Sequence, residues 1–282
     1  MARKLNTMVV TRTEWITAHM VRVYLGGPGF TEFDASDDTD SYIKIIFGRP
    51  GVDYPEPFDL DRIRSEFAPA DQPAVRTYTV RSVDTERGEI AVDFVVHGTS
   101  GIAGPWAASA EPGDVVRFNG PGSGYRPDPA APWHLMASDE AGLPALASAL
   151  EALPDTAIAK VFIEVAGPED ELTLAAPSGA DITWIHRGAG SDEADDAVAG
   201  DNAPVIAAVR AAEWLDGEPQ VFIHGEAQAV MHNLRRYVRK ERGVSARNAS
   251  ISGYWRRGRT EDGFRQWKAE LRKEEESAGS AL

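Results

Sequence analysis

The pattern of the chain changes at Tyr125–Trp133, YRPDPAAPW, and this change constrains the fold more than any other feature. Its prolines can continue neither a helix nor a central strand. Before it, apolar and polar residues alternate between glycine and proline punctuation. The segments MVVTRTEWIT, MVRVYLGG, YIKIIFG, RTYTVRSV, EIAVDFVVHG and DVVRFNGP read as strands. The fourth and fifth are joined by the short turn DTERG, which predicts a hairpin. About six strands with a turn after each predict a small antiparallel barrel. After the boundary, the apolar segments HLMAS, VFIEVAG, ITWIHR, QVFIHG and ASISGYWR alternate with helical ones. The helical segments are LPALASALEAL, APVIAAVRAAEWL, AVMHNLRRYVRKERG and GFRQWKAELRKEEE. That alternation predicts a parallel sheet covered on both faces, with its ligand at the carboxyl ends of the strands. The expected architecture is α+β in two domains: a six-stranded barrel over 1–128 and an α/β domain over 129–282.

Between Gly48 and Val75 lies a proline- and acid-rich stretch. It predicts a long loop with a helical turn near Leu60–Phe67, and loops of that length are often functional covers. The chain has no cysteine. Disulfides, thiolate metal sites, cysteine-ligated iron–sulfur clusters and a cysteine nucleophile are therefore excluded. The N-terminus has no signal-like apolar run and no segment nears the ~20 apolar residues of a membrane span. A soluble cytoplasmic monomer is expected. The net charge of −15 argues against nucleic-acid binding. Against that balance, Arg235–Arg259 holds nine Arg or Lys and one acid, Glu241. Such a segment can attract an anionic small ligand, or be a solvated helix face.

Five segments carry candidate chemistry. Arg76, Thr77, Tyr78 and Thr79 place a guanidinium, an aromatic ring and hydroxyls on one strand. The arginine fork suits a phosphate, and the aromatic with a hydroxyl suits a planar ring with polar edges. HGTSGIAGPW, His97–Trp106, is a glycine-rich turn entering a helix, which lets backbone N–H groups approach a diphosphate. Together these two segments suit a flavin dinucleotide. Asp139 and Glu140 stand where a strand meets a helix, and Gly225, Glu226 and Ala227 at another such junction. GYWRRGR ends in Arg256, Arg257 and Arg259. Each segment alone has an ordinary structural reading as a strand, turn or helix cap. The histidines are scattered without metal-ligand spacing, and no nucleophile elbow is present.

In order, RTYTVRS, DFVVHGTSGIAGPWA, the turn Ala110–Asp114, SDEAGLPA, HGEA and SGYWRRG resemble the siderophore-interacting protein family. These are FAD-dependent ferric-siderophore reductases of the ferredoxin-reductase superfamily. The resemblance implies FAD bound to the barrel and NADH or NADPH bound to the α/β domain. It implies that Arg76 meets the diphosphate while Thr77, Tyr78 and Thr79 line the ring, with Thr79 near the reactive N5. Asp93, Val95, His97, Thr99, Gly101, Ala103 and Trp106 would lie along the FAD. Asp139, Glu140, Gly225, Glu226 and Ala227 would face the nicotinamide cofactor. Arg256, Arg257, Arg259 and Lys268 would face an anionic ferric siderophore. No resident metal is implied. Two positions depart from the family pattern: Ser138 stands for a glycine, and His224 for a small residue. The activity implied is electron transfer from NAD(P)H through FAD to Fe(III), releasing Fe(II). A general flavin reductase or diaphorase, and a non-catalytic siderophore-binding protein, are the alternatives. Reduced ferredoxin is an alternative electron source.

Overall fold

The computed structural model describes residues 4–99, 101–259, 263–264, 266–271 and 273. The chain divides into two compact units. One holds the residues through Ile16 together with Met20–Gly124, the other Thr17–His19 and the residues from Tyr125 onward.

The first unit is a closed antiparallel barrel in the order β1-β2-β5-β4-β3-β6. Its strands are β1 (Leu5–Thr17), β2 (Met20–Gly26), β3 (Tyr42–Phe47), β4 (Ala74–Asp84), β5 (Glu89–Val95) and β6 (Val115–Gly122). Alternation explains the packing. Val21 and Val23 of β2, Ile43 and Ile45 of β3, and Phe118 of β6 are buried together, with Phe94 of β5 among them. The β4–β5 hairpin forms as expected, closed at Gly88 with φ 68°. Closure is made by β1 against β6, from Leu5 opposite Asn119 to Val9 opposite Val115. The long loop carries the expected helix, α1 (Leu60–Glu66), capped by the Asp59 carboxylate. It is compacted by its own aromatics: Tyr54 packs on Phe58 and Phe67, and its hydroxyl donates to the Asp71 carbonyl at 2.7 Å. A short helix, α2 (Ala103–Ser109), follows β5.

The second unit holds a five-stranded parallel sheet, ordered β11-β10-β7-β8-β9. Its strands are β7 (His134–Ser138), β8 (Ile158–Val165), β9 (Gly179–His186), β10 (Gln220–Glu226) and β11 (Ala249–Trp255). Every residue of β7 is buried, as a central parallel strand requires. Helix α3 (Leu143–Glu151) is also almost wholly buried, and α4 (Pro204–Ala211) packs Val205, Ile206 and Val209 inward. The helix expected after β10 forms, but Gln228–Leu234 and Tyr237–Glu241 are wound with wide π turns. Such windings inside α-helices are frequent at functional sites. Arg265, Arg272 and residues 274–276 of the last expected helix lie outside the described residues. Among the described residues no helix is long and apolar enough to cross a membrane.

The closed barrel sets opposite outcomes for two residues of β6. Phe118 is fully buried, whereas Val115 is 59% exposed. Phe118→Ala is expected to cost about 3–5 kcal/mol in urea unfolding. Val115→Ala should stay within about 1 kcal/mol of the parent. Equal costs would contradict the inward and outward faces of β6.

Candidate functional site

Each unit carries a cluster of the chemistry-bearing residues. In the barrel, β3 fixes the register of β4: Arg76 lies opposite Ile45, Tyr78 opposite Ile43 and Thr79 opposite Tyr42. Side chains alternate along a strand, so Arg76 and Tyr78 share one face while Thr77 and Thr79 share the other. The Tyr78 ring lies 4.3 Å from Phe94, and Phe94 lies 5.5 Å from Trp106 of α2. An aromatic spine thus joins the arginine-bearing strand to the helix after the glycine-rich turn. Arg76 is half-exposed, and its Nη1 donates to the adjacent Val75 carbonyl at 3.0 Å. It makes no salt bridge among the described residues.

The turn between β5 and α2 leaves its backbone open. Gly98 and Gly101 have φ 54° and 83°, and a Cβ built on either would meet nothing within 4 Å. Gly104 is needed for a different reason, because a Cβ there would stand 3.0 Å from the Val95 carbonyl oxygen. Thr99 is exposed, His97 and Trp106 are half-buried, and Ala103 is buried. An arginine without an acidic partner, a ring backed by Phe94 and an open glycine turn fit a flavin dinucleotide. Asp93 faces elsewhere. Both its oxygens accept from Arg22 of β2, at 2.6 and 2.8 Å, and Val95 is the half-buried residue opposite Met20.

In the second unit, Asp139, Glu140, Gly225, Glu226 and Ala227 converge at the carboxyl ends of β7, β10 and β11. Oδ1 of Asp139 accepts from the backbone N–H of Ala141 at 3.0 Å and of Gly142 at 3.1 Å. Its Oδ2 accepts from the Glu226 backbone at 2.8 Å and from the Trp255 indole at 2.7 Å. A side chain at Gly225 would place its Cβ 2.9 Å from the Asp139 carboxylate carbon, so the Gly-Glu-Ala turn requires glycine. Glu226 turns back to its own helix, accepting from the Ala229 backbone at 2.9 Å.

Two participants, Arg187 and Glu164, carry little local signal in the sequence. Arg187, just beyond β9, is buried between Glu140 at 2.5 Å and Glu164 at 2.9 Å. Glu164 also accepts from the Val205 backbone at 2.9 Å. A glutamate inside the apolar run VFIEV was the available clue, since a buried charge implies a buried partner. Trp255 and Arg257 complete the set. Asp139, Glu164, Arg187, Glu226, Trp255 and Arg257 all border one recess, of about 480 Å³ counting space open to solvent. Ser138 also borders it, and its buried hydroxyl makes no hydrogen bond among the described residues.

The basic residues near the C-terminus are not equivalent. Arg256 donates to Gln228 at 2.6 Å and lies 4.5 Å above the Trp267 ring. Lys268 donates to the Gly253 carbonyl at 3.1 Å. Arg259 is exposed. Arg257 alone among the four borders the recess. His224 is held away from it: its ring nitrogens meet Tyr254 Oη and Ser250 Oγ, each at 2.9 Å, and it packs on Phe222.

Burial sets the protonation of this unit. It pushes the Glu140 carboxyl up to about 7, despite Arg187. It raises Asp139, Glu164 and Glu226 as well, and lowers His224 to about 3, with Lys268 adding to the effect. Folded Glu140 therefore keeps its proton where the unfolded chain, with its usual 4.5, has lost it. Stability from this group is present below about 4.5 and is lost as pH rises through about 7. His224 acts in the opposite sense. The unfolded chain takes up a proton near 6.5 that the folded chain refuses, so stability falls as pH drops below that value. Glu140→Gln is expected to be less stable than the parent, because buried Arg187 loses an ion-pair partner, with a deficit that narrows as pH rises from about 5 to 7. Urea unfolding across that range checks it. A parent that stays ahead of the variant, by a margin growing with pH, would contradict the raised Glu140.

Comparisons with known proteins cover both units. The family model described as "Siderophore-interacting FAD-binding domain" matches residues 9–125, and that described as "Siderophore-interacting protein" matches 131–258. An uncharacterized protein of Mycobacterium tuberculosis is 56% identical, covering 95% of this chain and 96% of its own. The ferric vibriobactin reductase of Vibrio cholerae is 30% identical, covering 90% of each chain. The crystal structure of a siderophore utilization protein from T. fusca superimposes with a TM-score of 0.76 at 35% identity, covering 91% of this chain and 94% of that one. With an FAD-binding barrel, a parallel-sheet unit and a ferric reductase among its relatives, the chain belongs to the siderophore-interacting protein family.

Proposed function

We propose that this protein is an FAD-dependent ferric-siderophore reductase that takes electrons from NAD(P)H. The observation that carries the reading is Arg76. Its guanidinium has no acidic partner among the described residues, and it shares a strand face with Tyr78, whose ring is backed by Phe94. An arginine held this way meets a diphosphate through two parallel hydrogen bonds. Gly98 and Gly101 leave backbone open for the same anion.

The remaining roles follow from position. Tyr78 offers its ring to the isoalloxazine, Thr77 and Thr79 their hydroxyls to its polar edge, with Thr79 assigned to N5. His97, Thr99, Gly101, Ala103 and Trp106 border the dinucleotide along the turn and α2. Asp93, paired with Arg22, anchors β5 to β2 next to Val95 and thereby positions that turn. Bound FAD supplies the conversion between a two-electron donor and a one-electron acceptor. The protein's own work is to hold and orient, and no acid–base residue is needed for the electron step. In the second unit, Asp139, Glu140 and Gly225–Ala227 shape the recess proposed for the nicotinamide cofactor. Arg256, Arg259 and Lys268 form the cationic surface proposed for an anionic iron chelate, where charge raises the local ligand concentration. The relationship to a ferric vibriobactin reductase supports the acceptor class.

Purified protein is expected to be yellow with bound FAD. Arg76→Ala should weaken FAD binding roughly 10–100-fold, the loss expected for charge-assisted hydrogen bonds to phosphate. Flavin content equal to the parent's, measured after gel filtration, would remove Arg76 from this role. In the double variant Arg256→Ala, Arg259→Ala, reduction of an anionic ferric siderophore should slow while NAD(P)H oxidation by a neutral quinone is retained. Equal slowing on both acceptors would favour a general diaphorase.

A further inference from the structure

One wall of the recess in the second unit is the segment 188–203, through Ser191, Ala194, Ala199 and Gly200. It carries five acids, Asp192, Glu193, Asp195, Asp196 and Asp201, and no lysine or arginine. Arg257 ties this wall down. Its Nη2 donates to the Ala194 carbonyl and lies 3.4 Å from Asp196 Oδ1. The tie is weak, because the Asp196 side chain is 98% exposed and its pairing is screened by water. A second tie holds Asp201, which accepts from Gln228 at 2.9 Å and Asn233 at 2.8 Å. On the recess side the polar groups are incompletely used. Arg257 Nη1 is buried and makes no hydrogen bond among the described residues, and Ser138 Oγ is in the same condition.

A guanidinium offers five N–H donors in a fork shaped for phosphate oxygens. Here one arm holds a carbonyl and a solvated carboxylate, while the other waits for an acceptor. Asp139, Glu164 and Glu226 border the recess with only Arg187 buried among them, so a phosphate entering here requires a further cation. Arg257 is the remaining cation on its border. A ferric chelate, with ligand arms all around the metal, is poorly matched to a narrow recess; one end of an extended dinucleotide suits it.

We propose that Arg257 binds a phosphate of the dinucleotide electron donor, and that the acidic segment 188–203 is its built-in competitor. Asp196 and the Ala194 carbonyl occupy the guanidinium until a donor phosphate displaces them. This assigns Arg257 to the electron donor rather than to the iron chelate, and it rests on the function proposed above. Either the pyrophosphate or a 2′-phosphate supplies the chemistry.

The test is equilibrium binding of NADP⁺ and NAD⁺ to the FAD-loaded full chain by calorimetry at fixed ionic strength. Asp196→Asn is expected to tighten binding roughly 2–5-fold by removing an exposed competitor. Arg257→Ala should weaken it roughly tenfold or more, with Kd for an anionic ferric siderophore unchanged. A loss confined to NADP⁺ assigns the 2′-phosphate, and an equal loss for NAD⁺ assigns the pyrophosphate. The gain in Asp196→Asn guards against misfolding, since damage to the fold does not tighten a ligand. Unchanged dinucleotide affinity in either variant overturns the inference. So does an Arg257→Ala variant that loses only the ferric siderophore. If this occurs in a protein that still oxidises NAD(P)H and reduces the chelate, the proposed function stands. A parent that retains no FAD and reduces no chelate overturns the function, and the inference with it.

Discussion

The carboxylate of Asp139 accepts four hydrogen bonds, two from the turn that starts α3, one from the end of β10 and one from Trp255 at the end of β11. Three parallel strands are thereby tied at their carboxyl ends, where an open α/β sheet presents its ligand site. Its neighbours follow from it. Gly225 carries no side chain because that carboxylate takes the space, and Glu226 is fixed because its N–H is one of the donors. Burying this acid beside Glu140, Glu164 and Glu226 makes Arg187 indispensable, and the Arg187 pairs in turn hold the end of β9 to β8 and to the turn between β7 and α3. Buried pairs of this kind are strongly destabilised when one partner is removed, whatever the pair contributes as a whole.

The barrel solves a different problem. A closed sheet has no edge to protect, so its residues divide cleanly between inside and outside. Register then decides which side chains reach the rim. Arg76 and Tyr78 share a face because they are two residues apart, and Phe94 carries that face through to Trp106. The proposed flavin site is in this sense a by-product of strand alternation and one aromatic spine, completed by a turn whose glycines leave the backbone uncovered.

Much of this was legible along the chain. Six alternating segments gave six strands, the proline-rich stretch at 125–133 separated two patterns, and alternating strands and helices gave a parallel sheet. Local periodicity carries such information because the repeat of side-chain direction is a property of each element alone. Asp139–Glu140 and Gly225–Ala227 were also legible as strand-to-helix junctions, and they do converge. Arg187, Glu164 and the orientation of Arg257 were not. Their partners lie 23, 41 and 63 residues away in the chain, respectively through Arg187 with Glu164, Glu164 with Val205, and Arg257 with Ala194. The neighbouring arginines 256 and 257 illustrate the point. They are alike by sequence, yet one stacks on Trp267 and the other turns into the recess.

The amino-acid sequence by itself determined the two architectures and the strand that presents Arg76, Tyr78 and Thr79. Those features depend on periodicity, turn chemistry and the conformational limits of proline and glycine, all of which act over a few residues. Only the tertiary structure decided which acids are buried together, which arginine neutralises them and which one faces the recess. Those outcomes depend on desolvation and pairing between groups brought together by the sheet order β11-β10-β7-β8-β9, and the energy of a charge is set by what surrounds it in space.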